Sequence, residues 1–128
     1  MINRKVFGKA LFIIVALILI FTVGYYIFKP KTEESKAEKL NRMISSEEQL
    51  IMAENVFSKE KLAQYNGKNG MEAYIAINGI VYDVSKKWKN GQHHGLEAGK
   101  DLTKEFLESP HGHKTLGKLK IVGQYQEE

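Results

Sequence analysis

The chain has no cysteine in its 128 residues. That excludes disulfides, thiolate metal ligands and lipoprotein-type processing, and it leaves the compartment open. Enzyme signatures are missing too. There is no Gly-x-Ser-x-Gly, no P-loop and no Rossmann glycine fingerprint. Ser109 precedes Pro110-His111, but no third group completes a Ser–His pair. No substrate-binding pocket is suggested, so a stand-alone enzyme is not expected. A dense Lys/Arg stripe with interleaved aromatics is also absent. Residues 1–55 carry 8 basic and 6 acidic groups, and residues 56–128 carry 11 and 9. The basic pI of about 9.2 is therefore spread evenly and is no argument for a nucleic-acid partner. No internal repeat or low-complexity block is present.

What is present begins with Ala10 to Phe28, an apolar run without a charged residue. At about 1.5 Å per helical residue it reaches roughly 28 Å, the depth of a bilayer core. Lys9 can snorkel to the surface. The run exceeds a usual secretory h-region, and no Ala-x-Ala-like cleavage site comes after it. Tyr25, Tyr26 and Phe28 instead form an aromatic belt ahead of Lys29-Pro30-Lys31. An uncleaved membrane anchor over residues 1–28 is expected. Arg4, Lys5 and Lys9 precede the span, and the short N-terminal tail most simply stays in the cytoplasm. That predicts a single-pass protein of the cell membrane with its C-terminal domain extracytoplasmic.

Residues 29–55 read as a charged, partly helical tether. Ser45-Ser46-Glu47-Glu48 resembles a helix start, and Leu50, Ile51 and Val56 are candidates to pack on the C-terminal domain. Residues 56–128 read as one small α+β domain, a short sheet with helices. Ser58 is positioned to cap a helix over 59–65 that ends at Asn66-Gly67. Two β-rich runs, 73–77 and 80–84, are separated only by Asn78-Gly79, the type I′ hairpin dipeptide. A polar loop then carries Trp88, the only tryptophan. Residues 95–99 read as loop or helix start. Asp101 is expected to cap a helix over 102–108 whose apolar face is Leu102, Phe106 and Leu107, stopped by Pro110. A short loop-helix over 111–118 points Leu116 and Leu119 to the core, and Ile121-Val122-Gly123 closes the sheet.

All four histidines fall between residues 93 and 113, as His93-His94 and His111-x-His113. Imidazole is the usual nitrogen ligand of iron, zinc and copper. The short helix between the pairs sets them on opposite walls of one pocket. A structural zinc would need all four to converge on one point. Haem needs donors on both faces of a flat group. Leu96, Leu102, Phe106, Leu107, Leu116 and Trp88 lie around the pairs and can line an apolar slot. From the residues alone, haem, another metal and an ordinary His-rich loop all remain open.

The stretch Phe57 to Gly123 resembles the cytochrome b5-like haem/steroid-binding domain. FSKEKLAQYNGKNG, AYIAINGIVYDVS, AGKDLTKEF and the terminal KIVGQY carry the resemblance. It covers roughly half the chain and omits the anchor and tether. The His-Pro-Gly-Gly motif that holds the first haem histidine in cytochrome b5 is absent. The loop there is short, like that of the membrane-associated progesterone receptor branch, in which a Tyr stands seven residues before the Asp of Ala-Gly-x-Asp. Here that place is His94, and the place ten residues after the same Asp is His111. The resemblance implies haem b held by His94 and His111, with the iron six-coordinate and low-spin. It casts His93 and His113 as supporting groups, propionate contacts or alternative ligands, and Tyr82, Trp88, Leu102 and Phe106 as pocket residues. Both ligand places being filled favours one-electron transfer with a redox protein partner. A haem carrier or sensor, and a haem-free module for a steroid-like small molecule or a protein partner, are the alternatives.

Overall fold

In the hairpin strands β2 (Tyr74–Ile77) and β3 (Ile80–Asp83), branched and aromatic side chains alternate between two buried faces. The turn between them has φ 52° at Asn78 and 76° at Gly79, as type I′ geometry demands. This hairpin is the centre of the computed structural model, which describes residues 4–28 and 35–127. Lys29, Pro30 and Lys31, which bear on the aromatic belt and the orientation, lie outside the described residues, as does the start of the predicted tether.

Two units are present, Met1–Glu33 and Glu34–Glu128. The first contains helix α1 (Arg4–Ile27), and Gly8–Ile27 is long and apolar enough to be a candidate transmembrane span. From Leu11 to Phe28 its large apolar side chains are exposed, Phe21 by 83%.

The second unit is a mixed five-stranded sheet in the order β1-β7-β3-β2-β6, with β1 at Val56–Phe57, β6 at Lys100–Asp101 and β7 at Lys120–Tyr125. β7 runs antiparallel to β3 and parallel to β1, while β6 lies parallel to β2. Helices α5 (Thr103–Glu108) and α6 (His113–Leu116) belong to the face where Ile75, Ile77, Tyr82, Leu102, Phe106, Leu116 and Ile121 form the larger core cluster. Each fully buried side chain of this kind contributes about 1.5–3 kcal/mol. On the other face α4 (Lys59–Ala63), capped by the Ser58 hydroxyl at the Lys61 N–H, buries Leu62 against Phe57, Ala76 and Val81. Tyr65 stacks on Tyr74 at 4.5 Å beside it.

Three predicted elements come out differently. α5 starts at Thr103, one residue later than predicted, because Asp101 and Lys100 are drawn into strand β6. The Asp101 carboxylate still accepts the first free N–H of the helix, from Thr103 at 2.9 Å. Residues 95–99 include strand β5 (Leu96–Glu97), paired with β4 (Gln92–His93) in a separate hairpin. The stretch read as a tether contains α2 (Lys36–Leu40) and α3 (Ser46–Glu54), both inside the second unit. Ser45 and Glu48 make a reciprocal capping box at the start of α3, as Ser45-Ser46-Glu47-Glu48 suggested. Leu40, Ile44 and Met52 pack on the larger core cluster, whereas Leu50 and Val56 are exposed. Arg42 lies over the buried Tyr82 ring at 5.4 Å and pairs with Glu48 at 2.6 Å.

Candidate functional site

Ile75 and Ile77 are two apart on β2 and so share one face of the sheet. That face is the floor of a cavity of about 420 Å³. Leu102 and Phe106, at the start and on the inner face of α5, form one side. Trp88, Leu96, Glu105, Ser109 and Pro110 complete the lining together with the histidines. His93 and His94 enter from the β4–β5 hairpin, and His111 from the loop after α5. The volume falls in the range of small-molecule and cofactor sites, about 300–1,000 Å³. The lining is mostly apolar, with imidazoles from two separate elements as its main nitrogen donors.

The hairpin carrying the first pair is made by local chemistry. Gly91 has φ 68°, and a side chain there would collide with the carbonyl of Asn66. Glycine at 91 lets the backbone pass close to Asn66, and Ala98 donates to the Gly91 carbonyl at 2.8 Å, which closes the base of the hairpin. Its tip is His94-Gly95, with φ of 48° and 80°. Trp88 stacks on His93 at 5.4 Å, and the His93 and His94 rings meet edge to face at 4.2 Å. Burial, followed by the neighbouring His94 and His111, holds the His93 pKa below the usual histidine value. The neutral imidazole, the form that ligates metals, is favoured there. His93, His94 and His111 all line the one cavity.

The second wall is fixed by the end of α5. Pro110 forces Ser109 out of helical geometry, to φ −77° and ψ 163°. The Ser109 hydroxyl donates to the Phe106 carbonyl at 2.7 Å and accepts the His111 N–H at 3.2 Å. His94 and His111 are exposed at the cavity edge, and His93 is half-buried.

Of the residues singled out from sequence, His93, His94, His111, Trp88, Leu96, Leu102 and Phe106 come together here. His113 stands in the first turn of α6 and does not line the cavity. Tyr82 is 1% exposed, but on β3 it faces the Arg42 side of the core. Burial raises its phenol pKa, and the Arg42 guanidinium pulls against that rise. Leu107 and Leu116 also lie outside the lining. Ile75, Ile77, Glu105, Ser109 and Pro110 were missed, although the period of two in the β2 segment marks Ile75 and Ile77 as partners on one face. Among the described residues no group of three or more His, Asp or Glu side chains gathers to hold an ion. A site built from all four histidines therefore has no counterpart here.

A sheet floor, a short helix and imidazoles from two separate elements thus surround one mostly apolar pocket. Residues 58–126 match the Cytochrome b5-like Heme/Steroid binding domain, and the chain belongs to that family. Solved relatives agree. A cytochrome b5 domain protein of Hadesarchaea is 48% identical, with a TM-score of 0.53, over 56% of this chain and 99% of that one. A cytochrome b5 domain protein of Methanococcoides burtonii is 40% identical, with a TM-score of 0.54, over 56% and 97%. Chitin synthase Y of Aspergillus oryzae is 48% identical over 33 residues, which span 26% of this chain and only 2% of that protein.

Proposed function

We propose that this domain binds haem b through His94 and His111, one imidazole from each wall, and works in one-electron transfer at a membrane surface. The observation that carries the proposal is the apolar cavity with imidazoles entering from two separate elements. The donor set suits the group: two nitrogen bases, apolar side chains for a flat macrocycle, and no thiolate. Bound haem would supply a one-electron iron couple. The residues do the rest. The hairpin tip and the Ser109-fixed loop hold the two imidazoles, and Ile75, Ile77, Leu102 and Phe106 exclude water. Trp88 braces His93, which stands ready beside His94 as a supporting or substitute base. α1 anchors the chain in a single pass, with the domain on the extracytoplasmic side and a redox protein as partner. The domain carries electrons and is not itself an enzyme.

Absorption spectra of the purified chain, oxidised and reduced, test this. A Soret band with sharp α and β bands on reduction is expected, and His111→Ala should abolish the six-coordinate form. A chain that shows neither band after haem reconstitution overturns the reading. The paired imidazoles His93 and His94 favour a second reading, a haem carrier, which rapid transfer to apo-myoglobin would reveal. A domain that folds fully and ignores haem would instead be a steroid-like-ligand or partner-binding module.

A further inference from the structure

Lys39 lies in α2, outside the residues that match the family. Its ammonium donates to the carbonyl of Leu107 at 3.1 Å and to that of Ser109 at 2.8 Å. These carbonyls belong to the C-terminal end of α5, where backbone acceptors have no helical partner. Pro110 comes directly after and has no N–H to offer. A cation is the favoured group at such an end, both for its donors and for its charge. Ser109 in turn accepts the N–H of His111. Ser109 therefore links the two, held by Lys39 at its carbonyl and holding the His111 N–H at its hydroxyl. α2 also packs on both α5 and α6, the two helices that bracket His111.

We infer that Lys39 is a positioning residue for His111: it fixes the end of α5 and thereby the place where the imidazole meets the cavity. The consequence for haem rests on the proposed function, whereas the fixing of the loop does not. The segment before the family domain is thus a working part of the site, supplying one wall with its clamp.

The test uses the full chain in detergent as wild type, Lys39→Met and Lys39→Arg. Met keeps most of the apolar stem, and Arg keeps the donors. In the haem-free protein, amide hydrogen exchange is followed over residues 107–113. Lys39→Met should exchange there at least about tenfold faster, since it loses both charge-assisted hydrogen bonds. Residues 74–83 in the sheet should not change, and Lys39→Arg should match wild type. Equal exchange over 107–113 in wild type and Lys39→Met overturns the inference, as does Lys39→Arg exchanging as fast as Lys39→Met. After loading with haem, Lys39→Met should give a broadened, shifted low-spin EPR signal that Lys39→Arg restores. A wild type that takes up no haem defeats the haem reading alone, because the exchange result still decides the role of Lys39.

Discussion

His94 occupies the same left-handed turn position in the β4–β5 hairpin, φ 48°, that Asn78 occupies in the β2–β3 hairpin, φ 52°. The chain uses this turn repeatedly, with Asn69-Gly70, Asn78-Gly79 and Asn90-Gly91 all at positive φ. Asparagine tolerates that conformation because its short amide bonds locally. His94 is the exception, the only described residue at positive φ that is neither Gly nor Asn. A strained conformation held by a costlier side chain is a mark of functional sites.

His94→Asn should therefore separate stability from ligation. The haem-free variant is expected to be as stable as wild type or more stable, by up to about 1 kcal/mol, because the turn loses its strain. With haem it should lose the six-coordinate spectrum unless His93 takes over. Urea unfolding of the haem-free protein, paired with absorption spectra, checks both halves. A clear loss of haem-free stability would show that His94 is kept for packing.

The contrast between these turns also explains what the sequence disclosed. Asn78-Gly79 announces its hairpin because residue type and backbone agree. His93-His94-Gly95-Leu96 hides the same turn, since histidine is no hairpin signal, and the family resemblance that implies His94 as a ligand does not reveal its strain. The helices of residues 29–55 were partly legible, but which of their residues pack on the core was hidden for another reason. In α3 the apolar residues Leu50, Ile51 and Met52 are consecutive, so no face could be read, and only Met52 packs on the larger core cluster. Leu40 and Ile44 flank the break between two short helices, where periodicity gives no signal.

Tyr82 separates core from pocket. Tyr82→Phe keeps the ring under Arg42 and should cost about 1 kcal/mol or less while leaving any haem spectrum unchanged. Tyr82→Ala empties a fully buried site and should cost about 3–5 kcal/mol. Thermal unfolding beside absorption spectra reads both. A spectral shift in Tyr82→Phe would return this residue to the pocket.

The Glu48 pair predicts a pH dependence. Its folded pKa is depressed below 4.5, first by the Ser45 N–H of the capping box and then by Arg42, against the opposing cost of burial. The carboxylate is thus favoured in the folded state. Its contribution is complete above the unfolded value of 4.5 and is lost as pH falls through the lower folded value. Glu48→Gln retains a capping side chain but no charge. Wild type should melt higher than the variant at pH 6, and the two melting temperatures should converge as pH falls well below 4.5. A gap that is constant with pH would remove the charge from the explanation.

The family match begins at residue 58, but the folded unit begins at Glu34, and truncation distinguishes these boundaries. A chain cut just ahead of the family match, 56–128, loses Leu40, Ile44 and Met52 from the larger core cluster. It also loses the Asn55 carbonyl that accepts the Gln124 N–H at 2.9 Å, and it uncovers Tyr82 where Arg42 lay. Three half-buried apolar side chains are worth roughly 3 kcal/mol together, a large share of the stability of so small a domain. A chain of residues 35–128 should therefore melt cooperatively, while 56–128 should melt roughly 10–20 °C lower or fail to fold. The shorter chain also lacks Lys39, so any haem it takes up should leave faster than from 35–128. Equal melting temperatures would mean that α2 and α3 rest on a core already complete without them.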